Sequence, residues 1–326
     1  MTAARNVELD PCRRWGTESA ARPDRSRRVL VCDAIQSQAI HRMRAGGLQV
    51  DERLGLSPAD FEAVIGDYDA VVVRSTMLGA RQIAAARRLR LIVRGGVGTD
   101  NIDVEAAASR EIPVLNTPGA STASVAELAL GLMLALARHI ALADASLKSG
   151  RWSKKELSDG IELEGKILGI VGVGRIGGAL GRRASALGMM VLGTDKQRDP
   201  VGHFLGIEMV PLEELLLRAD FISAHIPAHA ERRAALGADE IARMKDGVML
   251  INCARGGVVD EVALLAALES GKVRGAALDV FAEEPPRDLQ LARHPRVVCT
   301  PHLGASTCEA QDRIGMEIAE ILLARL

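Results

Sequence analysis

Short apolar runs alternate with helical patterns from about residue 28 onward. The runs RRVLVCD, AVVVRS, LIVRGG and IPVLN each end in glycine or polar residues, and helical patterns such as SPADFEAVIG lie between them. In that helical pattern Ser57 is placed to cap the helix, and Pro58 suits its first position. Strands that alternate with helices predict βαβ units and a parallel sheet covered on both faces.

A longer apolar pattern follows the first series. Serine and threonine at positions 121 to 124 precede VAELALGLMLALARHIALADASLKSG, which predicts one long helix ending near Lys148 and Gly150. Its length and its few polar residues favour a helix that bridges two domains or packs in a subunit interface.

A second alternating series begins after a polar connection. Its apolar runs are ILGIVG, MVLGTD, DFISAHI, GVMLINC, GAALDV and RVVCT, and the last segment, STCEAQDRIGMEIAEILLARL, has a helical pattern. The pattern as a whole predicts an α/β protein with two doubly wound parallel-sheet domains side by side.

Composition narrows the function classes. The 326 residues are 48% hydrophobic and 25% charged, with a net charge of −1 and only 2% aromatic residues, so neither nucleic acid nor a membrane is an expected partner. Five cysteines without metal-ligand spacing indicate reduced thiols and a cytoplasmic location. Residues 1–27 are arginine-rich without an apolar stretch, and we expect them to be a disordered extension.

The strongest local motif is a glycine triplet between a strand and a helix. Gly172, Gly174 and Gly177 follow ILGIV in the spacing that permits a tight turn, the approach of a pyrophosphate and close helix packing. Asp195 ends the next predicted strand, where a carboxylate can accept both ribose hydroxyls and repel a 2′-phosphate, so the motif predicts NAD rather than NADP. A second glycine-rich stretch, RGGVGTDNID, lacks the third glycine and is expected to offer backbone amides to a ligand carboxylate.

Three charged residues follow strands of the second series. Arg255 can bind a substrate carboxylate, His302 can carry the hydroxyl proton, and Glu284 can orient the histidine. Parallel sheets bind ligands at these strand ends, so the three suit hydride transfer between NAD and a hydroxy acid. Taken singly, each also fits a surface or structural role, and His225 satisfies the positional argument equally well. No metal site is expected, because no His, Cys or Glu stands at ligand spacing from His302.

Four motifs together resemble a known family. GIVGVGRIGGALG, NCARGGVVDE, GAALDVFAEEPP and TPHLGAST are similar to signatures of the D-isomer-specific 2-hydroxyacid dehydrogenases. The resemblance implies an NAD-dependent oxidoreductase in which Arg255, Glu284 and His302 are catalytic and His225 lies near the cofactor. Besides the glycine triplet, it implies cofactor contacts at Val97, Arg175, Ile176, Asp195, Ile226, Cys253, Ala254, Arg255, Asp279, His302, Leu303, Gly304 and Ala305. It implies substrate contacts at Arg74, Ser75, Gly95, Gly96, Ser121, Arg255 and His302.

The resemblance also implies a domain organisation and a partner. A flavodoxin-like, discontinuous substrate domain would span residues 28–124 plus 305–326, and a Rossmann-type NAD-binding domain residues 125–304. The protein would form a homodimer or homotetramer through its nucleotide domains. Since the sequence stops at Leu326, the regulatory C-terminal domains of longer relatives are not expected.

The substrate end departs from the family pattern. The family pattern R-S-x-T appears here as Arg74-Ser75-Thr76-Met77, so methionine stands where the final threonine is expected. Ser121 replaces a usual asparagine. The resemblance favours 3-phosphoglycerate as the substrate, oxidised to 3-phosphohydroxypyruvate in L-serine biosynthesis. Its phosphate would then need Arg74 together with Arg138, Lys154 or Lys155, including from a neighbouring subunit. Alternatives are a glyoxylate or hydroxypyruvate reductase and, in another class, an NAD-sensing corepressor-like binding protein.

Overall fold

A computed structural model describes residues 27–197, 202–227 and 234–326. Apart from Arg27, the predicted N-terminal extension lies outside the described residues. Within them, two β-sheets each carry apolar clusters on both faces, as expected for parallel sheets covered by helices.

The first sheet has five parallel strands in the order β2-β1-β3-β4-β5. The strands are β1 (Arg28–Val31), β2 (Gln49–Glu52), β3 (Ala70–Val73), β4 (Leu91–Arg94) and β5 (Val114–Asn116). Between them run α1 (Ser37–Ala45), α2 (Pro58–Val64), α3 (Ala80–Ala85) and α4 (Val104–Ser109). Ser57 caps α2 by accepting the N–H of Asp60, as the sequence predicts. The strand order is that of flavodoxin-like folds, which bind ligands where the order reverses.

The second sheet has eight strands in the order β13-β12-β11-β10-β6-β7-β9-β8. The strands are β6 (Ile167–Val171), β7 (Met190–Thr194), β8 (Gly202–Phe204), β9 (Ile207–Met209), β10 (Phe221–Ala224), β11 (Val248–Asn252), β12 (Val273–Leu278) and β13 (Val297–Cys299). Its helices are α7 (Arg175–Ala186), α8 (Leu212–Arg218), α9 (Ala238–Arg243), α10 (Glu261–Ser270) and α11 (Gln290–Arg293). The order around β6 is that of dinucleotide-binding sheets. Two doubly wound parallel-sheet domains are therefore confirmed, with one antiparallel edge pair, β8 and β9, that the sequence pattern did not reveal.

The predicted single long helix is wrong, because the segment is two helices. The helices α5 (Thr122–Ala137) and α6 (Ile140–Lys148) meet at an angle of 65°. His139 separates them in the left-handed conformation, with φ of 54°, and its Nε2 lies 2.9 Å from Oδ1 of Asp159. The break falls at the polar pair Arg138 and His139, and apolar residues resume directly after it, so the apolar pattern on both sides predicts one helix.

The last helix, α12 (Cys308–Arg325), packs on the first sheet rather than the second. Its Ile314, Ile318 and Leu322 are buried in one cluster with Val29 and Met43. By contrast, the buried face of α5, which includes Ala129, Met133 and Ala137, packs against the second sheet and α7. The boundaries 28–124, 125–304 and 305–326 remain a prediction.

Among the described helices, none alone has the length and apolar character to cross a membrane, and only the bent pair α5–α6 meets those criteria when taken together.

Candidate active site

A cavity of about 860 Å³ lies between the two sheets. Loops from the carboxyl ends of β4, β10, β11 and β12 reach it, as the parallel-sheet rule predicts. The structure brings sixteen of the predicted site residues together in its lining: Arg74, Ser75, Gly95, Gly96, Val97, Ser121, Ile176, Ile226, Cys253, Ala254, Arg255, Asp279, Glu284, His302, Gly304 and Ala305. The predicted Gly172, Gly174, Arg175, Gly177, Asp195 and Leu303 are not part of that lining.

The glycine triplet has the geometry of a dinucleotide loop. Gly172 has φ of 97°, and a Cβ there would lie 2.6 Å from the carbonyl oxygen of His225. A Cβ on Gly177 would collide with the carbonyl oxygen of Gly172, so α7 packs directly on the turn. A Cβ on Gly174 would meet no described atom within 4 Å, which leaves open space at the start of α7. The N-terminus of a helix with such space fits the pyrophosphate of NAD.

Asp195 stands directly after β7, beside the same loop. The N–H of Gly172 donates to the carbonyl oxygen of Thr194, which ties the turn to the end of β7. One carboxylate oxygen of Asp195 accepts the N–H of Gln197 at 2.9 Å. The carboxylate is thus oriented by its own loop at the position where a ribose is bound in dinucleotide folds.

His302 and Glu284 form a close pair. Nδ1 of His302 lies 2.6 Å from Oε2 of Glu284, and the other carboxylate oxygen accepts the N–H of Phe281 at 3.1 Å. A carboxylate only accepts, so Nδ1 carries the proton and Nε2 is left for a ligand. His302 itself adopts φ of 53°, which only a few non-glycine residues do.

Asp279 holds the loop that carries His302. Its Oδ1 accepts from the hydroxyl of Thr300 and the N–H of Leu303, and its Oδ2 accepts the N–H of Gly304 at 2.8 Å. Its own carbonyl oxygen accepts the N–H of His302. These hydrogen bonds to Asp279 maintain the strained conformation of His302. The sequence had predicted Asp279 only as a cofactor contact.

His225, the rival histidine, lies in a different environment. Its Nε2 is 2.9 Å from the hydroxyl oxygen of Ser223, and its buried Nδ1 has no partner among the described residues. Burial lowers the pKa of His225 to about 4, so the ring is neutral near pH 7. Within the described ranges no carboxylate is hydrogen-bonded to the ring of His225, which favours His302 as the proton carrier.

Arg255 spans the cleft. Its Nε donates to Oδ2 of Asp100 at 2.7 Å, and its Nη1 donates to the carbonyl oxygen of Ala254 at 2.6 Å. Asn252 fixes the turn beneath it, since its side chain donates to the carbonyl oxygen of Arg255 and accepts the N–H of Ala254.

In the glycine-rich stretch after β4, two of the backbone amides are already hydrogen-bonded within the protein. The N–H of Gly95 donates to the carbonyl oxygen of Val73, and the N–H of Gly96 donates to the carbonyl oxygen of Arg94. For these two residues the prediction of amides free to bind a ligand is therefore wrong. Instead, a Cβ on Gly96 would overlap the guanidinium of Arg94, and one on Gly98 would overlap that of Arg255. The glycines make room for arginine side chains at the cavity wall.

Asp33 positions the loop of Arg74 and Ser75. One of its oxygens accepts the N–H groups of Arg74, Ser75 and Thr76 at 2.6, 3.1 and 3.0 Å, and the other accepts the hydroxyl of Ser75. Burial would raise the pKa of Asp33, but these hydrogen bonds outweigh it and hold the pKa below its usual range. The carboxylate thus remains ionised at neutral pH and fixes the loop.

Five polar residues of the cavity were not predicted from the sequence: Arg94, Thr99, Asp100, Asn116 and Ser306. Arg94 ends β4 and Asn116 ends β5, so the rule that found Arg255 could have found both. The Nε of Arg94 is buried without a partner in the described part of the chain. Burial, followed by the charge of Arg255, lowers the pKa of Arg94 to about 10, which still leaves it cationic at neutral pH.

The other predicted phosphate donors lie elsewhere. Arg138, Lys154 and Lys155 are exposed and do not line this cavity. Over residues 27–197, 202–227 and 234–326, no group of three or more His, Cys, Asp or Glu side chains is arranged to hold a metal ion.

Comparison with known proteins defines the family. Residues 130–304 match the family described as D-isomer specific 2-hydroxyacid dehydrogenase, NAD binding domain. The chain belongs to the D-isomer-specific 2-hydroxyacid dehydrogenases, and it carries their NAD-binding domain. The family and the NAD cofactor predicted from the sequence are confirmed.

The relatives differ in the reaction that they are named for. The chain is 46% identical to D-3-phosphoglycerate dehydrogenase of Sus scrofa, over 90% of this chain and 55% of that protein, so it spans about half the length of this relative. It is 49% identical to hydroxypyruvate reductase of Thermotoga maritima, over 92% of this chain and 98% of that protein. Among solved structures, D-lactate dehydrogenase of Aquifex aeolicus in complex with NAD and lactic acid aligns with a TM-score of 0.81 at 30% identity, covering 91% of this chain and 94% of that one.

Proposed function

We propose that this protein is an NAD-dependent 2-hydroxyacid dehydrogenase whose substrate pair is 3-phosphoglycerate and 3-phosphohydroxypyruvate. The hydrogen-bonded pair of His302 and Glu284, facing Arg255 in one cavity, carries the proposal for the reaction class. Relatives named for phosphoglycerate dehydrogenase and for hydroxypyruvate reduction support it.

Each of these side chains has a task in the reaction. The loop of Gly172 to Gly177 and the carboxylate of Asp195 would hold NAD, which when bound would supply the hydride acceptor or donor. Nε2 of His302 takes the proton of the substrate hydroxyl in oxidation and returns it in reduction. Glu284 holds the ring in one orientation through Nδ1. Arg255 binds the substrate carboxylate and polarises the reacting oxygen.

The arginines of the cavity wall are the groups suited to binding a phosphorylated substrate. Three arginines, Arg74, Arg94 and Arg255, line the cavity beside the carboxylates of Asp100, Asp279 and Glu284, and the charges of Arg255 and Arg74 contribute to the lowered pKa of Arg94. A ligand with both a carboxylate and a phosphate would relieve the repulsion between the arginines. An unphosphorylated acid such as glyoxylate would satisfy only one of the three.

NADH oxidation with a panel of acceptors tests the substrate. The wild type should prefer 3-phosphohydroxypyruvate over hydroxypyruvate, glyoxylate and 2-oxoglutarate. Arg94→Gln should lower kcat/KM for the phosphorylated acid by about tenfold or more, the effect of losing one charge-assisted contact, and change that for hydroxypyruvate little. A wild type that prefers an unphosphorylated acid, or an Arg94→Gln variant that affects both acids equally, would contradict the phosphate site.

We also propose a homodimer formed through α5, α6 and the segment that follows. Five large apolar side chains are exposed there: Leu134, Ile140, Leu142, Leu147 and Trp152, the last 79% exposed. Such clusters indicate an interaction surface. Arg138, Lys154 and Lys155 belong to the same region, so the partner subunit of a dimer would add their positive charges at this interface.

The homodimer is tested by substitutions in this region. Leu147→Asp combined with Trp152→Ser should give a monomer in sedimentation, whereas Val262→Asp, at an equally exposed valine on α10, should not. A wild-type monomer would contradict the proposal.

A cytoplasmic location is likewise proposed. Cys32, Cys253, Cys299 and Cys308 are free thiols. Free thiols are typical of proteins kept in a reducing compartment.

A further inference from the structure

We propose that Asp100 is a positioning residue that orients Arg255 for the substrate carboxylate. The inference deepens the proposed function and depends on it. Asp100 lies in the glycine-rich stretch after β4 of the first sheet, whereas Arg255 follows β11 of the second. Their 2.7 Å hydrogen bond therefore crosses the cleft between the two domains, directly beside the proposed substrate.

The hydrogen bonds of Arg255 leave one part of the guanidinium available. Of its N–H donors, Nε is taken by Asp100 and one on Nη1 by the carbonyl oxygen of Ala254, so that the donors on Nη2 and the second one on Nη1 stay available to a ligand. Nη2 lies over Gly98, where any Cβ would overlap it. Asp100 and the carbonyl group of Ala254 thus fix the plane of the guanidinium from opposite domains. The hydrogen bond to Asp100 determines which edge of the guanidinium faces the cavity.

The contact is better explained by orientation than by stability. The side chain of Asp100 is 60% exposed and that of Arg255 is 26% exposed. Exposed ion pairs contribute only about 0–1 kcal/mol to folding. Holding a planar guanidinium in one rotation, in contrast, matters directly for a bidentate contact with a carboxylate.

A purely electrostatic role makes a different prediction. Asp100 also offsets the mutual repulsion of Arg255 and Arg94, as its effect on the pKa of Arg94 indicates. If charge alone mattered, removing it would leave a more positive cavity that binds an anionic substrate more tightly. Asn keeps an oxygen that accepts from Nε but loses the charge, and Leu has a similar size but accepts nothing, so these two substitutions separate the alternatives.

The experiment compares Asp100→Leu and Asp100→Asn with the wild type at saturating NADH. As a control, Asp246→Asn removes the carboxylate of another ion pair, with Lys272, outside the cavity. We expect Asp100→Leu to lower kcat/KM for the 2-oxo acid by about tenfold or more, mainly through KM. Asp100→Asn should restore most of this loss, while the Kd for NADH and the Tm stay at wild-type values in all three variants.

Two outcomes would overturn the inference. One is an Asp100→Leu variant with the KM of the wild type, and the other is an Asp100→Asn variant as impaired as Asp100→Leu. Failure of the proposed function shows differently, because the wild type itself would then turn over none of the acids.

Discussion

At the scale of single residues, environment separates two histidines that occupy equivalent positions. His225 and His302 both follow apolar strands, yet His225 is buried against Ser223 with its pKa lowered to about 4. His302 is half exposed and hydrogen-bonded to Glu284. A proton carrier gains a charge during the reaction, which the burial of His225 opposes, whereas His302 lines the cavity with a carboxylate hydrogen-bonded to its ring.

Asp195 carries the discrimination between NAD and NADP. Asp195→Ala removes the carboxylate that would accept ribose hydroxyls and repel a 2′-phosphate. Its ratio of Kd values for NADPH and NADH should therefore fall by about tenfold or more, about 1.4 kcal/mol. Fluorescence titration of both cofactors measures the ratio, with Asp246→Ala as a control far from the cavity. An unchanged ratio would remove Asp195 from the cofactor site.

The sequence could predict those site residues that are recognisable from their position after a single strand. Arg255, Glu284 and His302 were identified by their positions and by motifs, and the structure brings all three into one cavity. The role of Asp100 could not be predicted, because its partner is 155 positions away and on the other domain. The hydrogen bonds of Asp279 to the loop of His302 also depend on tertiary geometry that spacing does not encode.

At the scale of elements, the turn from β6 into α7 shows why glycines in one motif are not interchangeable. Gly174 faces open space, whereas Gly177 packs against the backbone of Gly172. Gly174 is therefore needed for ligand binding, whereas Gly177 is needed for packing of the fold.

Alanine substitutions at these two glycines should have different effects. Gly174→Ala should keep the free energy of unfolding within about 0.5 kcal/mol of the wild type and weaken NADH binding by about tenfold or more, because the methyl group fills the space for the pyrophosphate. Gly177→Ala should lower the free energy of unfolding by about 1–3 kcal/mol. Urea denaturation and NADH titration of both variants check this. Equal stability losses would show that Gly174 is also a packing position.

The break between α5 and α6 illustrates the limit of periodicity at this scale. Positions 125 to 142 are mostly apolar on both sides of Arg138 and His139, and the pattern predicts a continuous helix. The backbone of His139 nevertheless turns left-handed, with its ring beside Asp159, so a contact distant in sequence accompanies the break. Most strands, in contrast, were recovered, since buried parallel strands read as continuous apolar runs.

At the scale of the whole molecule, the site exists only where the two domains meet. Arg74, Arg94 and Asp100 come from the first sheet, and Arg255, Glu284 and His302 from loops of the second. Neither half contains both the proposed proton carrier and the cations for a phosphate. The relative position of the domains therefore determines whether the groups act together.

The most direct test of this account is turnover by His302→Ala, compared with His225→Gln, using the acid that the wild type reduces best. Loss of the proton carrier should reduce kcat by about two or more orders of magnitude, with little change in the Kd for NADH. His225→Gln should retain far more activity. A His302→Ala variant with near wild-type kcat would contradict the assignment. A wild type that binds NADH tightly but reduces none of the acids would contradict the enzyme itself and favour an NAD-sensing protein.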